Sequence, residues 1–492
     1  MEKHSSSNNH VNGGGSRRED FEVAVDVVTL QDFSDLLHNQ PNKLYSESHR
    51  QIQKIPNQIR RRNIRRSQQV YDPVLVSIGP YHHAKPGLRR AQEFKHQCLN
   101  RCAGGDDKKK AFFYSKILEE VAAIRDSYAE AKIMEKYDDK SLALMMLLDA
   151  SIIIDFIHNY LGMKGNNFLD WRRCLGAGSW PLMIRDIMLM ENQIPLQVLK
   201  LLIAMQYEEG EAASFLPRFF AGFLTFKTHL VGVDLENADI PDEIEDPSIH
   251  LLEAVRKVIV KKKKKKMMKK NEIKEQHILM SEYSLVNKNV FMLSRFPMRE
   301  ETVDAGVSYM HRSVMDLKAK GIRIRSDPDL SPGEITFVPG VCFSELHLPI
   351  QYLTPVVVEN MIAFEVLPHG CSSPVVLSYA IFMKSLVQSP QDVKELQANG
   401  VMLNRFGNLE NVVQMVKEVD TFGLHDQDIF KDVKRRIEEH CRSKARTWLA
   451  DLVYSRFRTP WTAIALFAGV LLLCLTFVQT FFTIWPTNQR AL

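Results

Sequence analysis

Residues 461–485, WTAIALFAGVLLLCLTFVQTFFTIW, pass 25 positions without a charged side chain. At about 1.5 Å per residue, a helix of this length outreaches the roughly 30 Å hydrocarbon core of a bilayer. The rest of the chain must therefore fold as a body that coexists with one long apolar segment. Trp461 and Trp485 stand at its two ends, where amphipathic rings favour the headgroup zone. The competing reading is a buried core helix, but core helices this long carry a polar stripe. The run is read as a single transmembrane helix with a short tail, 486–492. Only seven residues follow it, which predicts post-translational insertion as a tail anchor. Arg442, Lys444, Arg446, Arg456 and Arg458 precede the span and only Arg490 follows. The positive-inside rule then predicts a single-pass membrane protein with its body in the cytosol, and the same bases would meet anionic lipid.

The amino terminus predicts no secretory route. MEKHSSSNNHVNGGGSRRED has no apolar core and cannot act as a signal peptide, so 1–49 is expected to be a disordered or weakly helical leader. The seven cysteines, Cys98, Cys102, Cys174, Cys342, Cys371, Cys441 and Cys474, are odd in number and form no Cys-x-x-Cys pair, which points to reduced thiols. A net charge of +5 over 492 residues implies no nucleic acid by itself. Its distribution is uneven: Arg50, Lys54, Arg60, Arg61, Arg62, Arg65 and Arg66 form a basic stretch, 234–246 is acidic, and 261–270 holds eight lysines. The lysine run invites a nuclear-import or nucleic-acid reading. Long like-charge blocks more often form solvated loops, and 234–275 is expected to be a charged mobile insertion. No aromatic residues interleave the bases to stack nucleobases, so no nucleic-acid partner is expected.

Most of the body, 50–455, has helical periodicity, and the fold class is mainly α: a large multi-helix body ending in one membrane helix. The stretch 116–133 spaces its apolar residues at three and four, and 141–161 is almost wholly apolar, a central core helix interrupted by Asp149 and Asp155. Residues 181–205 predict two helices, the first ending near Glu191 and the second opened by Pro195. Further amphipathic helices are expected over 391–419 and 425–450. A minor β or extended segment is expected near 333–367, rich in β-branched residues with Pro and Gly breaks, and Val74–Ile78 has a short-strand composition.

The most chemical-looking stretch is VSIGPYHHAKP, 76–86. His82 and His83 allow a metal site, with Cys98 and Cys102 one helical turn apart as conceivable partners, or a general base, or a packed, hydrogen-bonded turn. Adjacent histidines on extended backbone point to opposite faces, which disfavours one shared ion. The carboxylates in apolar helices, Asp149, Asp155, Asp186 and Glu191, could share protons or bind metal, or they could hold helix ends and arginines. No Gly-x-Ser-x-Gly, phosphate-binding loop, His-Glu-x-x-His or kinase signature occurs, so no catalytic, metal or cofactor residue is assigned. ENQIP is expected to be a polar joint, with Glu191, Asn192 and Gln193 closing one helix and opening the next.

Taken in order, these blocks resemble the plant family called domain of unknown function 247, over about 50–485. VYDPVLVSIGPYHHAKPGLRRAQEFK resembles its opening signature and carries Ser77, Gly79, Pro80, Tyr81, His82 and His83. MMLLDASIIIDFI carries Asp149, and LMENQIP carries Glu191, Asn192, Gln193 and Pro195. Asn360 and Glu365 lie in LHLPIQYLTPVVVENMIAFE, Asp392 in YAIFMKSLVQSPQDVKELQANGVMLNRFG, and Pro460 and Trp461 open the apolar block. Ala84 and Ala150 replace usual glycines, and His96 and Cys98 stand where aromatics are common. The resemblance implies a mostly helical plant protein with one terminal membrane helix and no assigned enzymatic activity, from a family associated with the self-incompatibility loci of grasses. The function it implies is recognition or signalling through an unidentified protein partner. The alternative is a membrane-tethered enzyme using His82/His83 with a buried carboxylate. An enzyme would place those groups on one open pocket; a structural role would leave them apart, or buried and satisfied.

Overall fold

The computed structural model describes residues 51–62, 64–83, 85–163, 167–224, 249–260, 312–328, 330–340, 343–350, 354–367, 373–402, 408–424, 428–442 and 460–484. The expected leader, the acidic stretch 234–246, the lysine run and the tail lie outside the described residues, as do Trp485 and the bases from Lys444 to Arg458.

Two short helices come first, α1 (Asn57–Arg62) and α2 (Ile64–Tyr71), then irregular chain to α3 (Arg89–Cys102). There follow α4 (Asp107–Glu119), α5 (Val121–Asp126), α6 (Ala131–Met134) and α7 (Asp139–Tyr160). The helical spacing of 116–133 is realised as the end of α4, α5 and α6, interrupted at Glu120 and between α5 and α6. There Ile52 donates to the Ser127 carbonyl at 2.8 Å and accepts from the Ala129 amide at 3.1 Å, so an incoming strand-like segment takes groups a helix would use. Helix α7 is the expected core helix. It opens on Asp138, whose carboxylate accepts from the Ser141 amide at 2.7 Å. It is buried nearly all round, with α3, α4 and the later α10 packed on it. Among the described residues it is long and apolar enough to cross a membrane, yet 78% of its apolar window is buried, which marks it as core.

Helices α8 (Phe168–Leu175), α9 (Ser179–Asp186), α10 (Leu196–Ala204) and α11 (Glu209–Leu224) continue this half. The first helix of 181–205 ends at Asp186, not near Glu191, and Pro195 is the residue before α10 rather than its first. The chain between them is irregular because its polar groups bond to side chains, as set out below. Helix α12 (Leu251–Val260) falls inside the stretch expected as a mobile insertion. Leu251, Leu252, Ala254, Val255, Val258 and Ile259 are buried in the first core, so hydrophobic burial overrides the charged surroundings there.

The second half is organised round a small sheet. After α13 (Val314–Ala319) come β1 (Ile322–Asp327), β2 (Thr336–Val338) and β3 (Ser344–Pro349), in the order β1-β3-β2. β1 is parallel to β3, with Ile322 opposite Ser344, and β2 is antiparallel to it. Ile322 and Ile324 point inward and Arg323 and Arg325 outward, the period-two pattern of a half-buried strand. The extended reading of 333–367 is correct for β2 and β3 but fails beyond Thr354, where α14 (Pro355–Val366) begins with Pro355 in its first turn. Three consecutive valines favour a strand, but α14 is buried on every side, and packing outweighs propensity. Then come α15 (Val375–Leu386), α16 (Pro390–Ala398), α17 (Leu409–Glu418), α18 (Lys431–Arg442) and α19 (Pro460–Ile484). The stretch 391–419 is two helices rather than one.

Helix α15 belongs to two cores. Val376, Leu377 and Ala380 pack with the helices round α7, while Tyr379, Phe382, Met383 and Leu386 pack with the sheet and α13, α16, α17 and α18. Helix α19 carries no charged residue over 25 positions, and its described side chains are exposed. Among the described residues Cys98, Cys102, Cys174, Cys441 and Cys474 are free thiols.

His250 shows how tightly the first core is closed. Its Nδ1 accepts from the Glu253 amide at 3.1 Å while Glu253 accepts from the Ile249 amide at 2.8 Å, a reciprocal cap on α12. The ring is buried against Phe364, and burial pushes its pKa down to about 4. The unfolded chain then binds the extra proton between about pH 6.5 and 4, so stability is full above that window and falls as pH drops through it. The loss at pH 4 is expected to be about 3 kcal/mol. Buried Glu359, raised to about 7, contributes the opposite slope over part of this range. The His250 share is therefore read from the difference in denaturant unfolding between the parent and His250→Asn, which keeps a capping acceptor and should lose less stability as pH falls.

Candidate functional site

Val74–Ile78 has a strand-like composition, but among the described residues it pairs with no strand. Its backbone is held by side chains instead. The Asp186 carboxylate, at the end of α9, accepts from the amides of Val74 at 3.1 Å, Leu75 at 2.7 Å and Val76 at 3.0 Å. Burial keeps this carboxyl above its ordinary pKa even with those donors and Arg185 beside it. Asn192 takes the next groups: its Oδ1 accepts from the Ile78 amide at 2.7 Å, and its Nδ2 donates to the carbonyls of Val76 at 3.0 Å and Asp186 at 2.9 Å. An amide side chain thus supplies both partners a neighbouring strand would have offered.

The next group pairs with α7. The Gly79 amide donates to Asp149 at 2.7 Å, and Asp149 forms an ion pair with Lys95. Lys95 is fully buried and also donates to the Ser77 carbonyl at 2.6 Å and to Gln92 at 2.9 Å, while Gln92 donates to the Ser77 hydroxyl. All three ammonium protons are occupied. Gly79 has φ +72°, and a Cβ there would stand 2.3 Å from the Gln193 carbonyl oxygen, so close approach and handedness both require glycine. Pro80 follows, and the Tyr81 hydroxyl donates to the Ile52 carbonyl at 2.7 Å.

The histidines diverge, as neighbours on extended chain do. His82 is buried, with Nε2 3.2 Å from Glu191 Oε2. Glu191 also accepts from the Ile55 amide at 2.7 Å and from Arg60 at 2.7 Å, and Arg60 reaches Asp72 at 2.8 Å. Burial alone would raise the Glu191 carboxyl, but His82 and Arg60 outweigh it and hold it below its ordinary value. His83 packs edge-on against Tyr137 at 5.7 Å, and burial lowers its pKa. The structure thus brings His82 to Glu191 and sets Asp149 on Lys95 and Gly79.

The remaining positions serve other joints. Gln193 donates to the carbonyls of Ile187 at 2.7 Å and Leu189 at 2.8 Å, filling the break before Pro195. Asn360 on α14 accepts from the Met190 amide at 2.9 Å and donates to the Val70 carbonyl at 2.9 Å. Glu365 accepts from the amides of Val376 at 3.0 Å and Leu377 at 2.8 Å, capping α15, and from Arg256 at 2.8 Å. Asp392 closes a capping box with Ser389 and accepts from the Met315 amide at 2.8 Å, tying α16 to α13. Pro460 and Trp461 begin α19. Asp155 receives Arg101 at 2.8 Å and the Trp171 indole at 2.6 Å, fastening α3 and α8 to α7.

Cys98 and Cys102 face α7 near Asp155 and Ser151, and burial pushes the Cys102 thiol up to about 12. They meet a different carboxylate from the histidines. Among the described residues no three His, Cys, Asp or Glu side chains converge as metal ligands. Sequence reasoning missed Lys95, Arg60, Arg256 and Glu359 as site residues. Lys95 alone left a signal: with Ala91, Phe94, Cys98 and Leu99 it falls on the buried face of α3. The inner members, Lys95, Asp149, Asp186, Glu191 and Asn192, are closed to solvent and committed to backbone partners or to one another, while Arg60, Asp72 and His83 at the margin are half-buried. Such an arrangement locks segments together.

The profile of a family described as a plant protein of unknown function, DUF247, matches residues 52–475. Two proteins of Arabidopsis thaliana are similar. The putative UPF0481 protein At3g02645 is 24% identical over 488 residues, covering 85% of this chain and 88% of its own. The UPF0481 protein At3g47200 is 24% identical over 420 residues, covering 83% and 82%. No solved structure matches the chain.

Asn192→Leu would strand the Ile78 amide and the Val76 carbonyl inside the core and leave the Asp186 carbonyl only the Leu189 amide. Denaturant unfolding should show a loss of about 3 kcal/mol, since each buried orphan costs roughly 1–3. A variant as stable as the parent that has lost its biological activity would overturn the structural assignment.

Proposed function

The chain belongs to the plant DUF247 family of proteins of unknown function, and from that premise we propose that it is a membrane-anchored protein acting through protein–protein contacts in recognition or signalling. The observation that carries the anchoring is α19. Its 25 uncharged residues exceed a bilayer core in length, and Leu473 and Phe477 are 72% and 73% exposed. A helix that turns its apolar side chains outward in succession calls for an apolar surrounding. Trp461 at one end suits the headgroup zone, and the bases preceding the helix support an orientation with the body in the cytosol.

The buried inner part of the polar cluster supports a scaffold role. The contact of His82 with Glu191 is what favours the alternative, a membrane-tethered enzyme. Both groups are buried, 5% and 2% exposed, and Glu191 already holds Ile55 and Arg60. A substrate would have no face of this pair to meet, so contact surfaces elsewhere on the body are the better carriers of function.

Deleting the chain after Arg458 should move the protein from the membrane to the soluble fraction; membrane retention of the truncated protein through alkaline carbonate would refute the anchor. Glycosylation acceptors introduced before residue 440 should stay unmodified. Their efficient modification would place the body on the lumenal side and reverse the orientation.

A further inference from the structure

Helix α8 turns Trp171 inward, with Asp170, Cys174 and Leu175 half-buried, and leaves Phe168, Leu169, Arg172 and Arg173 exposed. Spacing by four stacks Phe168 beside Arg172 and Leu169 beside Arg173, so two large apolar groups and two guanidinium groups share one face. Phe168 meets Trp180 edge-on at 5.7 Å, which extends the apolar surface onto the start of α9, where Pro181 and Leu182 are also exposed. From Phe168 to Leu182 both exposed charges are positive. The face is rigidly backed: Trp171 packs on Phe94 at 5.1 Å and donates to Asp155 at 2.6 Å.

We propose that this α8 face is a second membrane contact that lays the body against a bilayer surface containing anionic phospholipid; the proposal rests on the anchoring reading above. Phe, Leu and Trp beside Arg, with no exposed acid among them, is the composition that enters the headgroup boundary of anionic membranes. Tethering makes such a small patch sufficient. Helix α18 ends at Arg442 and α19 begins at Pro460, so the 17 intervening residues reach at most about 60 Å, roughly the width of a folded body of this size. The face stays close to the bilayer, where a contact too weak to hold a free protein is occupied because its effective concentration is high.

The test is hydrogen exchange on the full chain reconstituted in nanodiscs of phosphatidylcholine alone and of phosphatidylcholine with phosphatidylserine. Two arginines at an anionic surface should slow exchange of the 168–175 amides by about thirtyfold relative to the neutral discs. The surface variants Phe168→Ser/Leu169→Ser and Arg172→Glu/Arg173→Glu should each abolish that difference while 460–484 stays protected. Equal exchange at 168–175 in both discs, with 460–484 protected, overturns the patch alone. Slowing that follows protein concentration and not lipid charge assigns the face to a protein and also overturns it. Failure of 460–484 to enter either disc overturns the anchoring, and the patch with it.

Discussion

An irregular segment can run through a protein interior only if every amide and carbonyl along it finds a partner. Between Val74 and Gly79, Asp186, Asn192 and Asp149 supply those partners to the amides of Val74, Leu75, Val76, Ile78 and Gly79. The two carboxylates are themselves anchored, Asp186 by Arg185 and Asp149 by Lys95. The positions of α3, α7 and α9 are therefore fixed by one connected polar cluster. Such a cluster contributes little net stability as a whole, but losing any single member strands its partners in low dielectric. The consequence is specificity of register: no sliding of the segment leaves those five amides on these three side chains.

The same logic joins the two halves of the body. Arg66 on α2 pairs with Glu359 on α14 and, at 2.9 Å, with Glu418 on α17. Burial raises the Glu359 carboxyl to about 7, and Arg66 only partly offsets it. Helix α15 completes the joint by serving both cores with opposite faces, and Glu365 caps its first turn. Neither core can shed α15 without exposing the other.

Much of this was legible in sequence because it rests on period and breaks. The almost wholly apolar run round Asp149 and Asp155 identified the central helix, and the switch from apolar to polar at ENQIP identified a joint. What sequence could not reveal is which distant group completes a local pattern. Val74–Ile78 reads as a strand because its composition suits extended chain, but the partners are a carboxylate and an amide more than a hundred residues away. The valines of α14 and the acids and lysines flanking α12 misled for the converse reason, since burial by surrounding elements decided both. Arg60 and Arg66 sat in a basic run that resembles a solvated face, and only tertiary contact shows that they serve buried glutamates.

Asn360 Nδ2 closes on the Val70 carbonyl, 290 residues away along the chain. At a synthesis rate of roughly 5–20 residues per second, that partner leaves the ribosome on the order of half a minute after Val70 does. For that interval α2 exists without the helix that covers it, and Arg66 without Glu359. The amino-terminal third of this protein must wait, incomplete, for a helix encoded near the start of the last third, with apolar surface that chaperones are suited to cover.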